Sequence, residues 1–305
     1  MRDSLDETLV GAALVTSGLP WRGVEFHASL GSTNTRLREL LTGSAAPTGP
    51  YAAGTEASET CRWWVVLTDH QTGGRGRLGR VWEVPDCASV AVSCAVPVSG
   101  PAVAGWMPLL AGLALSRALR SVTAAAGREL HPRLKWPNDV LLGDDGDRKV
   151  SGILCELVML PAAAAPRGQA GAVVVVGTGV NIDQDRDELP VDTATSLALA
   201  GVRVRREDVV AAYLRELAGL LLPGGGGPGA AEVTDVSAAA RVAYADACTT
   251  IGADVRVHLP GGEVVEGSGI DIDRDGGLVL QTARGRRTFA AGDVVHVRRG
   301  PSSVR

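Results

Sequence analysis

The chain has 305 residues, more than one hydrophobic core usually organises, so a main domain and a smaller module are expected. Apolar residues make up 45% and charged residues 21%, and the net charge of -4 argues against a general attraction to nucleic acid. No basic leader and no run of about 18 apolar residues is present, so we expect a cytoplasmic protein without a membrane span. The five cysteines and five histidines have no metal-ligand spacing, which lowers the expectation of a zinc enzyme.

Hydrophobic periodicity predicts a mixture of strands and helices up to about residue 250. Strands are predicted at residues 21–30, 63–68, 89–96, 134–142, 149–157 and 173–182. Helices are predicted at residues 36–41, 104–126, 206–222 and 237–247, with Ser32 or Thr33 as the cap of the first. Loops are predicted at residues 42–60, 161–171 and 223–229. Residues 152–158 are expected to pair with the last strand as a hairpin.

After Ile251 the pattern changes to short β segments separated by glycine-rich turns. These segments are predicted at residues 254–259, 264–272, 277–281, 287–289 and 294–298. A β-rich module of about 50 residues is typical of a small independent domain. We therefore predict a catalytic domain over residues 1–248 and a second domain over residues 249–305.

One loop is unusually rich in glycine and arginine. Residues 74–80 read GRGRLGR and follow a predicted buried strand directly. Alternate glycines let the backbone approach a ligand closely, and the three arginines supply permanent positive charge, which together favour an oxyanion or a phosphate. The pattern matches neither the P-loop nor the dinucleotide fingerprint. Taken alone it is a weak signal, since a surface turn has the same composition.

Lysine and asparagine are rare in this chain. Of the 30 basic residues only two are lysine, Lys135 and Lys149, and asparagine occurs only at Asn34, Asn138 and Asn181. Where arginine serves almost everywhere else, the remaining lysines are expected at sites that arginine cannot replace. Both lysines and the three asparagines fall within the motifs described next.

Five motifs occur in a fixed order along the chain. They are GSTN (31–34), QTGGRGRLGR (71–80), LKWPNDVLL (134–142), KVSGILCE (149–156) and GTGVNI (177–182). This set resembles the catalytic domain of bacterial biotin-protein ligases, and the resemblance spans about residues 28–200. It implies an α+β fold, with a mixed sheet flanked by helices as in class II synthetases and lipoate ligases, followed by a small SH3-like β-barrel.

The resemblance also implies a two-step reaction. Biotin and MgATP would give biotinyl-adenylate and pyrophosphate, and a lysine of the biotin carboxyl carrier domain of an acyl-CoA carboxylase would then take the biotin. Lys149 and Arg77 are the implied catalytic residues, because an ammonium between carboxylate and α-phosphate neutralises two groups that repel each other. The metal ligands stay open, as does the division of roles between Lys135 and Lys149.

The implied site residues form two overlapping groups. The biotin group comprises Ser32, Thr33, Asn34, Gln71, Arg75, Gly76, Arg77, Lys149 and Gly152. The ATP and adenylate group comprises Gly74, Arg75, Arg77, Trp82, Lys135, Asn138, Asp139, Lys149 and Asn181. An aromatic side chain such as Trp82 or Trp136 equally suits the core.

Only about 30 residues precede the GSTN motif, too few for the DNA-binding domain that many relatives carry, so a ligase-only form is expected. We expect no nucleic-acid partner and a monomer or weak homodimer. Two alternatives stay open. A lipoate-protein ligase shares the fold, but KWPND together with GRGRLGR favours biotin. A non-catalytic biotin-binding module is disfavoured by the presence of both Lys149 and Arg77.

Overall fold

The computed structural model describes residues 2–15, 18–48, 62–160, 171–224 and 232–297. The helices are α1 (Glu7–Val15), α2 (Thr33–Thr42), α3 (Pro101–Ala125), α4 (Arg206–Leu221) and α5 (Ala238–Ala247). The strands are β1 (Gly23–His27), β2 (Trp64–Thr68), β3 (Ser89–Pro97), β4 (Pro132–Lys135), β5 (Asp139–Leu142), β6 (Arg148–Met159), β7 (Ala172–Asn181), β8 (Asp254–His258), β9 (Val264–Ile272), β10 (Leu278–Thr282), β11 (Gly285–Phe289) and β12 (Asp293–His296). Most of the three predicted loops lies outside the described residues.

A seven-stranded mixed sheet forms the main body of the protein. Its strand order is β1-β2-β3-β7-β6-β5-β4, in which β1 and β2 are parallel and the other pairs antiparallel. The predicted hairpin is confirmed, because β6 and β7 pair from Ser151–Val180 to Met159–Ala172. Helices α3 and α4 pack on one face of the sheet, whereas α2 packs on the other.

Strand β7 shows how both faces of the sheet are buried. Val174 and Val176 join the core beneath α3, while Val173 and Val175 pack with the leucines of α2. A strand buried on both faces reads as a continuous apolar run rather than an alternating one. The valine run at residues 173–176 therefore matches its central place in the sheet.

The structure differs from the sequence-based expectation in two places. Residues 7–15 form a helix that was not predicted, and Asp6 caps it by accepting from the amides of Thr8 and Leu9 at 2.9 and 3.2 Å. Residues 134–142 are not one strand but the hairpin of β4 and β5. Pro137 lies in the turn, where its missing N–H costs no ladder hydrogen bond.

Helix α3 is long and apolar enough to cross a membrane by composition, but 67% of its most apolar window is buried in the protein. It is the central helix of the core, which accounts for its apolar character.

The predicted β-rich module after Ile251 is confirmed as a five-stranded antiparallel sheet of order β11-β10-β9-β8-β12. It docks on the main body through two buried tryptophans: Trp106 Nε1 donates to Arg274 O at 2.9 Å, and Trp136 Nε1 donates to Gly276 O at 3.0 Å. Trp136 is thus a core residue that also borders the cavity described below. The domain boundary at residue 248 stays a prediction.

Candidate functional site

A cavity of about 810 Å³ opens on the α2 face of the main sheet. It is lined by the predicted residues Ser32, Thr33, Asn34, Gln71, Arg75, Gly76, Arg77, Trp82, Lys135, Asn138, Asp139, Lys149, Gly152 and Asn181. Gly74 is the exception, since it packs against the backbone of Trp82, where an added Cβ would lie 2.3 Å from the carbonyl oxygen. The fold therefore brings the scattered motifs to one place.

Hydroxyl and amide groups line one end of the cavity, at the start of α2. Ser32 caps the helix, while the backbone N and the Oγ1 of Thr33 lie 3.0 and 3.2 Å from Gln71 Oε1 and donate to it. The Gln71 oxygen accepts both hydrogen bonds from Thr33, so the Gln71 Nε2 group is left to donate a hydrogen bond to a ligand. These groups suit a ligand with both hydrogen-bond donors and acceptors.

The side chain of Asn34 is already engaged by the protein. Its Nδ2 donates to Glu156 Oε2 at 2.7 Å and to Leu154 O at 3.2 Å, and its Oδ1 accepts from Ser93 Oγ at 2.6 Å. Gly177 lies against it, and an added Cβ there would sit 2.1 Å from Asn34 Oδ1. Asn34 thus shapes the wall of the cavity, and a direct contact to biotin stays a prediction.

Sequence reasoning missed Ser93 and Glu156, which hold Asn34. Ser93 also lies 2.7 Å from Thr33 Oγ1, so one buried hydroxyl ties two site residues together. A polar residue in the middle of the apolar strand β3 is the signal that identifies it, because a buried hydroxyl needs a hydrogen-bond partner.

The middle of the cavity combines a cation, an aromatic ring and two glycines. Lys149 Nζ lies 2.5 Å from Asp139 Oδ1 and 5.9 Å from the centre of the Trp82 ring. Added Cβ atoms would lie 3.0 Å from the Lys149 amine at Gly152 and 2.8 Å from the Trp82 ring at Gly179. A side chain at either glycine would collide with Lys149 or Trp82, so glycine at these two positions leaves room for both side chains.

The Gly/Arg loop folds back on itself over the cavity. Gly76 N donates to Arg80 O at 2.7 Å, and Trp82 N donates to Gly74 O at 2.9 Å. Arg77 Nη1 donates to Asn138 Oδ1 at 3.1 Å. The sequence predicted the loop, but only the fold shows that Arg77 meets the asparagine of the KWPND motif.

Two partly buried cations, Arg77 of this loop and Lys135 at the end of β4, line the cavity. Burial lowers the pKa of Arg77 from its usual value, while Asp293 and Asp139 oppose that shift. Burial is also the main cause that lowers the pKa of Lys135; Asp139 opposes the shift and the neighbouring Lys149 adds to it. Cations that lack full compensation in a cavity attract an anionic ligand.

The C-terminal sheet contributes to the cavity, which the sequence did not predict. Asp293 at the start of β12 forms an ion pair with Arg80 of the Gly/Arg loop. Val294 and Val295 line the same wall. Arg80 therefore links the Gly/Arg loop to the second sheet.

The far end of the cavity contains Asn181. Its Nδ2 donates to Thr195 O at 2.9 Å, and its Oδ1 accepts from Gln184 Nε2 at 3.0 Å. Side chains at alternate positions of a strand share one face, so Gly177, Gly179 and Asn181 mark successive levels of the cavity. The four steps of strand from Gly177 to Asn181 span roughly 13 Å.

Comparison with known proteins decides the family. Residues 51–176 match the biotin/lipoate A/B protein ligase family, and residues 250–297 match the biotin protein ligase C-terminal domain. The chain is 32% identical over 300 residues to the biotin-[acetyl-CoA-carboxylase] ligase of Mycobacterium tuberculosis, and the match covers 98% of each chain. The chain belongs to the biotin protein ligase family.

Other relatives are similar over part of the chain or in their fold. A bifunctional ligase/repressor of Escherichia coli is 34% identical over 153 residues, which is 50% of this chain and 43% of that protein. The fold matches that of a biotin protein ligase from Aquifex aeolicus solved in complex with biotin and ATP, with a TM-score of 0.62 and 22% identity. That match covers 92% of this chain and 100% of the other, and it confirms the predicted fold class.

Among the residues that the structure describes, no group of three or more His, Cys, Asp and Glu side chains forms a metal site. A biotin protein ligase uses ATP, and Mg²⁺ commonly binds through one or two carboxylates together with substrate phosphates. Asp139 in the cavity wall fits such a role.

Proposed function

We propose that the chain activates biotin with ATP and transfers it to a lysine of the biotin carboxyl carrier domain of an acyl-CoA carboxylase. One observation carries the proposal: a single cavity holds the polar groups of Thr33 and Gln71 at one end, Lys149 in the middle and Asn181 at the other end. This order matches biotin, its carboxylate joined to the α-phosphate, and the nucleoside.

In the first step, the carboxylate oxygen of biotin attacks the α-phosphorus of ATP. A new phosphorus–oxygen bond forms, and the bond to the pyrophosphate oxygen breaks. Lys149 and Arg77 stabilise the negative charge that gathers on the α-phosphate oxygens as the bonds exchange. For this, Lys149 must move from Asp139 toward the ligand.

In the second step, the carrier lysine attacks the acyl carbon of biotinyl-adenylate. The carbon–oxygen bond to AMP breaks, and the amine loses a proton as the amide forms. Because an acyl-adenylate reacts with water, the Gly/Arg loop over the cavity must exclude solvent until the carrier arrives.

Biotin-dependent exchange between pyrophosphate and ATP tests the first step, with lipoate as the competing acid. We expect exchange with biotin and little with lipoate, followed by labelling of a purified carrier domain on a streptavidin blot. Biotin binding by calorimetry without any exchange would contradict the proposal and favour a non-catalytic binding module. We further propose that the protein is cytoplasmic and that it is a monomer or weak homodimer. Sedimentation at several protein concentrations tests the oligomeric state.

A further inference from the structure

Arg2 lies beside the cavity, although no motif gives it a role. Its guanidinium binds the Glu188 carboxylate with two nitrogens: Nη1 donates to Oε1 at 3.1 Å, and Nη2 donates to Oε2 at 2.5 Å. The same Nη2 donates to Asp183 O at 2.7 Å. A two-pronged contact of this kind fixes orientation as well as position. It joins residues that are 186 positions apart in the chain.

Glu188 belongs to the segment that follows β7, residues 183–195, which we call the wall loop. Glu188, Leu189, Pro190 and Val191 of this loop line the cavity. Glu188 also closes a short turn, because Asp185 N donates to its Oε2 at 2.9 Å. The carboxylate that Arg2 holds is therefore the one that organises this part of the wall.

The other end of the wall loop supports Lys149. Lys149 N donates to Thr193 O, and Thr195 N donates to Lys149 O, both at 2.8 Å. The loop therefore lies against β6 at the lysine proposed for catalysis. A shift of the wall loop would displace groups that contact the ligand, and small displacements of this kind weaken binding.

The segment that carries Arg2 is anchored separately in the fold. Leu5 is buried, and its N donates to Asp69 Oδ1 at 3.1 Å. Arg206 Nη2 donates to Asp3 O at 2.6 Å. Because Asp69 and Arg206 also form a buried ion pair with each other, the segment is fixed to the core beside Arg2. Arg2 thus ties the wall loop to a firmly held point.

Among the described residues that line the cavity is Glu188 but not Arg2, so an effect of Arg2 on a ligand must pass through the wall loop. We propose that Arg2 is a positioning residue for ATP: by holding Glu188 and Asp183 it sets the place of the wall loop and so strengthens nucleotide binding. This inference rests on the proposed function, since it assumes that the nucleotide occupies the Asn181 end of the cavity.

Positioning and simple charge compensation predict different results. If Arg2 only offset the negative charge of Glu188, which repels phosphates, removal of both charges would restore nucleotide binding. If Arg2 positions the loop, a double variant stays as weak as the single variant, because the same contact is absent from both.

Calorimetric titration of the full chain with α,β-methylene-ATP tests the role, with biotin present at saturation. This analogue cannot be cleaved at the bond that breaks in the first step. We expect Arg2→Met to bind the analogue about five-fold more weakly than the wild type, and Arg2→Met with Glu188→Gln to show the same loss. The affinity for biotin alone should stay within about two-fold of the wild type.

Arg203→Met is the matched control. Arg203 Nη1 lies 3.6 Å from Asp183 Oδ1, but the arginine side chain is 84% exposed, so its loss should change neither affinity. Unchanged analogue binding in Arg2→Met, recovery of binding in the double variant, or an equal loss of biotin and analogue binding would each overturn the positioning role.

Hydrogen exchange of the ligand-free protein gives a second readout that needs no nucleotide. The amides of Leu189 and Ala194, which bond within the wall loop, should exchange faster in Arg2→Met than in the wild type, whereas the amides of β3 should not. Identical exchange of the wall loop in both proteins would also overturn the role.

Binding of the analogue does not require turnover. If Arg2→Met selectively weakens the analogue but the wild type shows no biotin-dependent pyrophosphate exchange, the positioning role stands and the proposed reaction fails. If the exchange reaction occurs and Arg2→Met binds the analogue as tightly as the wild type, the reaction stands and the positioning role fails. A wild type that does not bind the analogue would overturn both.

Discussion

Lys149 Nζ and Asp139 Oδ1 lie 2.5 Å apart, so the lysine proposed for catalysis is paired with a carboxylate of the KWPND motif. The two side chains are 31% and 22% exposed, and a partly exposed pair of this kind adds only about 0–1 kcal/mol to stability. The pair is therefore more important for holding the ammonium in the cavity than for holding the fold.

We expect Lys149→Met to slow adenylate formation by at least ~100-fold, because the charge that stabilises the transition state is lost. Single-turnover formation of biotinyl-adenylate measures this, with thermal unfolding as a check on folding. The double variant Asp139→Asn, Lys149→Met removes both charges of the pair. It should form biotinyl-adenylate no faster than Lys149→Met alone. More than a tenth of the wild-type rate in Lys149→Met would contradict the role.

Arg77→Gly is expected to release biotinyl-adenylate prematurely, because it removes the contact between Arg77 and Asn138 that closes the loop over the cavity. Biotinylation of a bystander protein such as serum albumin should rise by about ten-fold or more, in line with the loss of a charged hydrogen bond. Arg284→Gly, which makes the same change at an exposed turn, is the control. Equal leakage from both variants would count against the role of Arg77.

Gly177→Ala is expected to raise the KM for biotin by roughly ten-fold while leaving the KM for ATP little changed, since misplacing a site residue weakens contacts. The added methyl would lie 2.1 Å from Asn34 Oδ1 and would displace it from Ser93. Gly219→Ala is the matched control, because its Cβ meets nothing within 4 Å. Steady-state kinetics with each substrate varied separately would show whether the effect is confined to biotin.

Asp69 and Arg206 form a buried ion pair at 2.6 Å, and their side chains are only 4% and 7% exposed. Arg206→Leu leaves the Asp69 carboxylate with less compensation and should lower the free energy of unfolding by about 3–5 kcal/mol in urea denaturation. Arg256→Leu breaks the exposed pair with Glu266 and should cost about 0–1 kcal/mol. Similar costs for the two variants would show that burial of the first pair has no special effect.

We expect His296 to make the stability of the protein depend on pH. Burial, and secondly Lys135, lower the pKa of His296 from its usual value of 6.5, with Asp147 opposing the shift. The unfolded imidazole therefore binds a proton first, so stability is lost as the pH falls from about 6.5 toward the lower folded-state pKa. The melting temperature of His296→Gln should fall less than that of the wild type between pH 7.5 and 5.5.

The contact that His296 makes shows where acid would act. His296 Nε2 lies 3.3 Å from Thr250 Oγ1, which accepts from Trp136 N at 3.1 Å. A change of charge on His296 would therefore act where the second sheet meets the KWPND segment. Parallel pH profiles for the wild type and His296→Gln would assign the acid sensitivity to another group.

The sequence alone determined the order of the motifs, the β6–β7 hairpin and the β-rich module after Ile251. These features depend on local pattern: valine runs, glycine-rich turns and the rare lysines and asparagines, each readable from neighbouring residues. The short helix α1 was missed because nine residues give little periodicity, although the cap Asp6 was present in the sequence.

Tertiary structure alone decided which partners meet. Asn34 reaches Ser93 and Glu156, and Arg80 reaches Asp293, through contacts between residues far apart in the chain. Such contacts depend on sheet register and domain docking, which hydrophobic periodicity does not specify. Most of the residues predicted for the site line the cavity, whereas the contacts that hold Asn34 and Arg80 in its wall required the fold.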